Sequence, residues 1–217
     1  HHSPTLSLTH SLFYSILTLR ALHHTIITCI WRLQLHSPHS LTSLLHSKSN
    51  ALIATTLIDV GYIALAGSGF ITVALLDSES LYTMTHTSSV IGVILSSVGI
   101  WTILSAVCYI GPKGLAGADH FYPEEYRVSE GVSKLVSKGV YKYISHPLYK
   151  IGMLLEWGVA VMAGSWLCFV LALSAHLSAL SFMWGTEIPD MRHIYGDDGV
   201  ECVSEIDEHK KKEEKSD

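Results

Sequence analysis

The feature that most restricts the fold is an almost uncharged stretch of 38 residues, 148–185, in which only Lys150, Glu156 and His176 can carry charge. A helix needs about 20 apolar residues to cross roughly 30 Å of hydrocarbon, so the stretch is about long enough for two crossings. Gly164 and Ser165 divide it near the middle. Pro147 precedes it, and a helix tolerates proline at its first position. The sequence therefore predicts a helical hairpin made of residues 147–163 and 165–185.

Two further apolar segments support a membrane protein. Residues 51–76 are interrupted only by Asp59, and residues 89–111 contain no charged side chain. A mean hydropathy of +0.34 with only 15% charged residues is unusual for a soluble domain. We therefore expect an all-α membrane protein with about four transmembrane helices that end in the C-terminal hairpin. Asp59 is expected to pair with a neighbouring helix, and glycines such as Gly61, Gly67, Gly92 and Gly99 to let helices approach closely.

The hairpin brings two polar clusters together. His146 lies 18 residues before Gly164, and Glu187 lies 22 residues after Ser165. At about 1.5 Å per residue both return to the same membrane face, at depths that differ by roughly 6 Å. The candidate site at this face is formed by Ser145, His146, Tyr149, Thr186, Glu187, Asp190 and Arg192.

The segments outside the apolar core define the domain organisation. Residues 1–50 form an N-terminal extension, 51–196 the transmembrane domain, and 197–217 a charged tail. Residues 1–58 contain no Asp or Glu, which is typical of mitochondrial import segments and also of low-complexity extensions, and both interpretations stay open. Apolar residues recur there near helical spacing, which predicts an amphipathic helix at the membrane interface: Leu12, Ile16, Leu19, Ile26 and Ile30.

Composition excludes two classes of function. A net charge of −5 and a pI near 6.3 argue against nucleic acid as a partner, because phosphate binding needs a basic face. The four cysteines form no CxxC pair, and the 14 histidines show no HExxH spacing. We therefore expect no metal site.

A glycine-rich loop follows the second apolar segment. Gly111, Gly114 and Gly117, with Pro112, end the helix and leave backbone N–H groups free. Such a loop suits close approach to a ligand, but it is also an ordinary way to turn the chain. Both interpretations stay open at this point.

Three separated motifs together resemble the phospholipid methyltransferase family, which includes phosphatidylethanolamine N-methyltransferases and isoprenylcysteine carboxyl methyltransferases. The first is Gly111-x-x-Gly114 followed by Asp119-x-Phe121. The second is Gly139-Val-Tyr141 with His146-Pro-Leu-Tyr149, and the third is Glu187-Ile-Pro189 with Ile194-Tyr195-Gly196. The resemblance covers about residues 90 to 196.

The resemblance implies an integral membrane enzyme that transfers a methyl group from S-adenosylmethionine to a lipid nucleophile such as phosphatidylethanolamine. It implies that His146 and Glu187 take part in catalysis, His146 by accepting a proton. It also implies that the methyl donor is held by Gly111, Gly114, Asp119, Pro147, Tyr149 and Glu187.

Three departures from the family pattern support an alternative hypothesis. Ile188 follows Glu187 where a second glutamate is usual, Ser145 stands where Arg or Asn is usual, and Gly152 comes one residue late. The alternative is a catalytically degenerate accessory subunit, held with other membrane subunits in a complex of the mitochondrial inner membrane. That membrane is the favoured location for either function, with the endoplasmic reticulum as the other.

Glu156 has two interpretations of its own. It lies on one helical face with Tyr149 and points into the helix bundle. It is expected either to bind the methyl acceptor or, the favoured choice, to pair with His176 on the neighbouring helix.

Overall fold

The chain folds into a helical bundle. A computed structural model describes residues 4–36, 45–77, 85–115, 117, 121–122, 136 and 138–195, and the regular elements in these ranges are helices. The α-helices are α1 (Pro4–His36), α2 (Lys48–Leu76), α3 (His86–Leu115), α4 (Leu154–Ala163), α5 (Trp166–Phe182) and α6 (Ile188–Tyr195). A 3₁₀ helix spans Gly139–Lys142, and π-helices span Leu148–Gly152 and Met183–Glu187.

Within the described ranges, three helical stretches are long and apolar enough to cross a membrane: Lys48–Leu76, His86–Gly111 and Trp166–Tyr195. We expected about four. The remaining predicted span, residues 147–163, consists of the first π-helix and the ten-residue α4. It has 17 residues and includes Lys150, which is short of the roughly 20 apolar residues that a full crossing requires.

The hairpin turns where the sequence predicts. Gly164 ends α4 with φ at 63°, a left-handed conformation that favours glycine, and Ser165 caps α5 by accepting a hydrogen bond from the Cys168 amide at 3.2 Å. The Ser165 hydroxyl also donates a hydrogen bond to Asp77. The tip of the hairpin is therefore attached to the end of α2.

Glycines let α3 and α4 pack backbone to backbone. A Cβ atom on Gly99 would lie 2.3 Å from the Leu155 nitrogen, and one on Gly158 would lie 2.5 Å from the Gly92 carbonyl oxygen. These contacts confirm the expectation for Gly92 and Gly99. A Cβ atom on Gly61 would meet nothing within 4 Å, and the same holds for Gly67.

Helix α1 runs along α5 from one end of the bundle to the other. The Phe13 ring lies 6.1 Å from Trp166 at the start of α5, and the Trp31 ring lies 5.2 Å from Phe182 at its end. The two helices are therefore parallel. We expected this segment to lie at the membrane interface, but it packs against α2 and α5. Of the apolar residues on the predicted face, Ile16 is buried at 2% exposed, whereas Ile26 is 43% exposed.

A buried arginine explains why α1 lies in the bundle. Arg20 is 3% exposed, and its guanidinium donates to Glu156 on α4 at 2.8 Å, to Ser174 on α5 at 3.1 Å, and to the Leu171 carbonyl. The expected pairing of Glu156 with His176 is thus wrong, because a full cation is the stronger partner for a buried carboxylate.

The other predicted intramembrane pair is present. His23 on α1 lies 2.8 Å from the Asp59 carboxylate on α2, which confirms that Asp59 pairs with a neighbouring helix. The His23 ring also stacks on Tyr62 at 3.8 Å. His176 accepts a hydrogen bond from the Trp157 indole at 3.1 Å instead of binding Glu156.

Candidate functional site

His146 and Glu187 meet at one end of the bundle, 41 residues apart in the chain. The Nδ1 atom of His146 lies 3.0 Å from Oε1 of Glu187, and the two side chains are 14% and 19% exposed. The convergence that the hairpin predicts is therefore confirmed. A partly buried carboxylate beside an imidazole can hold a cation and receive a proton.

The backbone at His146 is unusual. Its φ angle is 52°, in the left-handed region that side chains other than glycine rarely adopt. Pro147 follows with φ at −62°, and the His146 carbonyl accepts hydrogen bonds from the amides of Tyr149 and Lys150, both at 3.2 Å. The proline disfavours the right-handed helical conformation at the residue before it, so the turn fixes the direction in which the imidazole leaves the chain.

Two tyrosines surround the carboxylate. The Tyr149 ring lies 6.4 Å from the His146 ring and 6.4 Å from Phe182. Tyr141 lies in the 3₁₀ helix, where burial, and next the negative charge of Glu187, raise the pKa of its phenol. Since the phenol stays protonated at neutral pH, Tyr141 is a hydrogen-bond donor and not a base.

The remaining members of the predicted clusters lie around this pair. The Lys150 ammonium donates to the Ser145 hydroxyl at 2.6 Å. Thr186 and Asp190 are buried, at 4% and 3% exposed. Arg192 is an exposed residue of α6.

The two glycines predicted to approach a ligand lie at the end of α3. The helix is interrupted at Gly111, where φ is 72° and ψ is 171°, and a Cβ atom there would meet nothing within 4 Å. A Cβ atom on Gly114 would contact only Ile110 of its own helix. The Tyr109 ring packs on Gly139, two residues before Tyr141, so the interruption lies at the same end of the bundle as Glu187.

Asp119 lies outside the described residues. Two neighbours are described: a Cβ atom on Gly117 would touch the Trp31 indole at 2.7 Å, and Phe121 is fully buried with Trp31 and Phe182. Tyr149 packs against the same cluster. Gly117 and Phe121 therefore lie against the aromatic cluster that Tyr149, the neighbour of His146, packs against.

Helix α1 adds residues to this end of the bundle that sequence reasoning missed. The Thr28 hydroxyl lies 3.4 Å from that of Thr186, and the Arg32 guanidinium donates to the Gly185 carbonyl. Thr28 and Arg32 are spaced i, i+4 and therefore share a helix face. The sequence shows this spacing, but only the fold shows that the helix face with Thr28 and Arg32 lies against Thr186 and Gly185.

The fold and the site define a helical membrane protein with a carboxylate and an imidazole in contact at one end of the bundle. A model of the phospholipid methyltransferase family matches residues 87–198, just over half of the 217 residues. The chain belongs to the phospholipid methyltransferase family. The matched residues contain α3 to α6 and exclude α1 and α2.

Curated relatives are fungal proteins named phosphatidylethanolamine N-methyltransferase. The chain is 31% identical over 119 residues to that of Botryotinia fuckeliana, covering 55% of this chain and 11% of the relative. The chain is 32% identical over 107 residues to the protein of Aspergillus flavus, covering 49% of this chain and 10% of the relative. It is 31% identical over 124 residues to that of Malassezia globosa, covering 56% of this chain and 12% of the relative. The chain thus spans about a tenth of their length. No solved structure matches it significantly.

The donor set fits the cofactor of this family. S-adenosylmethionine carries a cationic sulfonium and an ammonium group, and a carboxylate flanked by aromatic rings suits both. The negative charge of Glu187 acts on the phenols of both Tyr141 and Tyr149. Within the part of the chain that the structure describes, no atom would lie within 4 Å of a Cβ atom on Gly111.

Proposed function

We propose that this chain is a membrane methyltransferase that uses S-adenosylmethionine to methylate phosphatidylethanolamine or a similar lipid amine. The observation that carries the proposal is the contact between His146 and Glu187 at one end of the bundle. A soluble donor reaches such a site from water, and a lipid acceptor reaches it from the bilayer. Membership of the family and the names of the fungal relatives support this choice.

His146 and Glu187 have different roles in the proposed reaction: His146 accepts a proton and Glu187 binds a cationic group. If Nδ1–H of His146 donates to Glu187, Nε2 carries a lone pair and can accept a proton. S-adenosylmethionine supplies an electrophilic methyl group when bound. Methylation of a protonatable amine releases a proton, which Nε2 of His146 receives, while Glu187 holds the ammonium group of the donor or the acceptor amine.

The other predicted residues position the donor. Gly111 and Gly114 provide a backbone that a ligand can approach, Asp119 contributes a carboxylate, and Pro147 with Tyr149 closes the site. Since methyl transfer is an in-line displacement, placement of the two reactants supplies much of the catalysis.

A second candidate is an accessory subunit of a mitochondrial inner-membrane complex that has kept the fold without the activity. Ile188 favours it, because this side chain occupies the position where the family usually has a second carboxylate. The acid-free composition of residues 1–58 favours a mitochondrial location for either candidate.

Calorimetric titration of S-adenosylmethionine into the detergent-purified protein separates the two candidates. We expect micromolar binding to the wild type and roughly tenfold weaker binding to Glu187→Gln, which removes a charge-assisted hydrogen bond. Asp77→Asn, which makes the same chemical change at the other end of the bundle, should bind like the wild type.

Two outcomes would change the proposal. Unchanged binding by Glu187→Gln would remove Glu187 from the donor site and leave it to the acceptor amine alone. Absence of binding by a folded wild-type protein would favour the accessory subunit. A positive titration is followed by mass spectrometry of methylated lipid after phosphatidylethanolamine is added.

A further inference from the structure

A hydroxyl-lined groove runs between α1 and α5 and ends beside the site. Its volume is about 500 Å³, and its walls include Thr25, Thr28, Ser178, Ser181 and Thr186. The outer surface of α2 is different, with exposed Leu57, Val60, Ile63 and Leu65. The groove therefore offers hydroxyl oxygens, which a ligand with polar atoms can contact and which the outer surface of α2 lacks at these positions.

The groove changes character along its length. Leu177 and Ala21 line it together with the hydroxyl groups. Toward the site come Phe182, whose ring contacts Tyr149, and then Thr186, which precedes Glu187 in the chain. A ligand in the groove would thus contact both apolar and hydroxyl side chains along its length, and its end at Thr186 would lie beside the residue that precedes Glu187 in the chain.

A cation lies where the groove meets the site. Arg32 donates one hydrogen bond to the carbonyl of Gly185, the residue before Thr186, and its guanidinium is exposed with further N–H groups to offer. The Thr28 and Thr186 hydroxyls lie next to each other one turn away. Arginine with two hydroxyls suits a phosphate, and Glu187 beyond them suits an ammonium group.

We propose that this groove binds the acceptor phospholipid, with its phosphate at Arg32, Thr28 and Thr186 and its amine at Glu187. The proposal rests on the proposed function and adds the subsite that holds the lipid. Arg32 and Glu187 do not line the groove itself but lie beside its Thr186 end, where a cation and a carboxylate match the phosphate and the amine of the headgroup. One wall comes from α1, which lies outside the residues that match the family.

Two native cysteines provide the test. Cys29 lines the groove, whereas Cys108 is exposed on α3. Modification of each by N-ethylmaleimide is followed by peptide mass spectrometry on the full chain in detergent micelles, with and without dioleoyl phosphatidylethanolamine. We expect the lipid to slow modification of Cys29 several-fold and to leave Cys108 unchanged.

Two charge variants and a second lipid test whether protection of Cys29 depends on the lipid phosphate and on Arg32. Arg32→Gln should require roughly tenfold more lipid for the same protection, because it removes the charge-assisted bonds to the phosphate. Lys142→Gln, which removes another exposed cation, should behave like the wild type. Dioleoylglycerol, which has the chains without the phosphate, should not protect Cys29.

Equal slowing of Cys29 and Cys108 modification by the lipid would overturn the proposal. Protection of Cys29 by dioleoylglycerol as strong as that by the phospholipid would also overturn it, and so would protection of Cys29 in Arg32→Gln at the lipid concentration that suffices for the wild type. Titration of S-adenosylmethionine into the same preparations separates this proposal from the proposed function. Headgroup-dependent protection without donor binding would retain the lipid site and reject methyl transfer. Binding of S-adenosylmethionine without lipid protection of Cys29 would retain the donor site and reject the lipid site in the groove.

Discussion

At the scale of single residues, the conformation of His146 and the position of Glu187 depend on each other. The left-handed φ of 52° directs the imidazole toward Glu187, and the contact at 3.0 Å keeps one tautomer favoured. Strained backbone of this kind costs about 1–3 kcal/mol and persists where the surroundings enforce it. The strain at His146 therefore supports a role that requires a fixed ring.

His146→Asn tests that role with little effect on the backbone, since asparagine tolerates the left-handed region better than most residues. Loss of a general base typically lowers a rate by 10²-fold or more, so we expect methylation of phosphatidylethanolamine to fall about 10²-fold. Binding of S-adenosylmethionine should change little. The measurement is a single-turnover rate beside a donor titration.

His193→Asn, at an exposed position on α6, is the matched control and should keep the wild-type rate. A His146→Asn variant with an unchanged rate would show that the proton leaves by another route, such as directly to water.

At the scale of helices, the distance between α3 and α4 is set by residues without side chains. The contacts of Gly99 with Leu155 and of Gly158 with Gly92 involve backbone atoms, which cannot rotate away as a side chain can. Because α4 follows directly from the π-helix after His146, its distance from α3 also fixes the height of the site. A change at these glycines should therefore alter both the distance between α3 and α4 and the position of His146.

Gly99→Ala should force the two helices apart, because its Cβ atom would lie 2.3 Å from the Leu155 nitrogen. Overpacking of this kind costs roughly 1–3 kcal/mol, which we expect as a loss of unfolding free energy in detergent. Gly67→Ala makes the same change in open space and should be neutral or slightly stabilising. Equal effects of the two variants would contradict this account of the contact.

Helical rise and turn chemistry were enough to predict part of the fold and of the site from the sequence. The break at Gly164 and the meeting of His146 with Glu187 need only a hairpin with a known rise per residue. The partner of Glu156 could not be predicted in this way. Arg20 lies on α1, and the periodicity of apolar residues does not show where α1 lies in the bundle. For the same reason Gly61 and Gly67 were expected to pack closely and do not, because composition does not show which helix face meets a neighbour.

At the scale of the whole molecule, the Arg20–Glu156 pair joins α1 to the part of the chain that matches the family. Arg20 binds α4 and α5 at once through Glu156, Ser174 and Leu171. Buried pairs do not always add stability compared with apolar residues, but the loss of one partner leaves a charge without compensation. The pair therefore makes the bundle dependent on both members.

A double-mutant cycle tests this dependence. Arg20→Met and Glu156→Gln should each lower the free energy of unfolding, by roughly 3–5 kcal/mol if the remaining partner stays charged. The double variant should be less destabilised than the sum of the two. Denaturant titration in detergent measures each value.

Lys142→Met, which removes an exposed cation, should stay within about 0.5 kcal/mol of the wild type. Additive losses in the double variant would show that the two side chains contribute independently, and would contradict the pairing.

The same pair has a consequence for the order in which the protein is made. Glu156 follows Arg20 by 136 residues, so at about 5–20 residues per second the arginine leaves the ribosome roughly 7–27 seconds before its carboxylate. During that interval α1 lacks the partner that lets it enter the bundle, and an amphipathic helix with Arg20, His23 and His24 is best accommodated at the membrane surface. We therefore expect α1 to dock only after the hairpin has been inserted, although α1 precedes the hairpin in the chain.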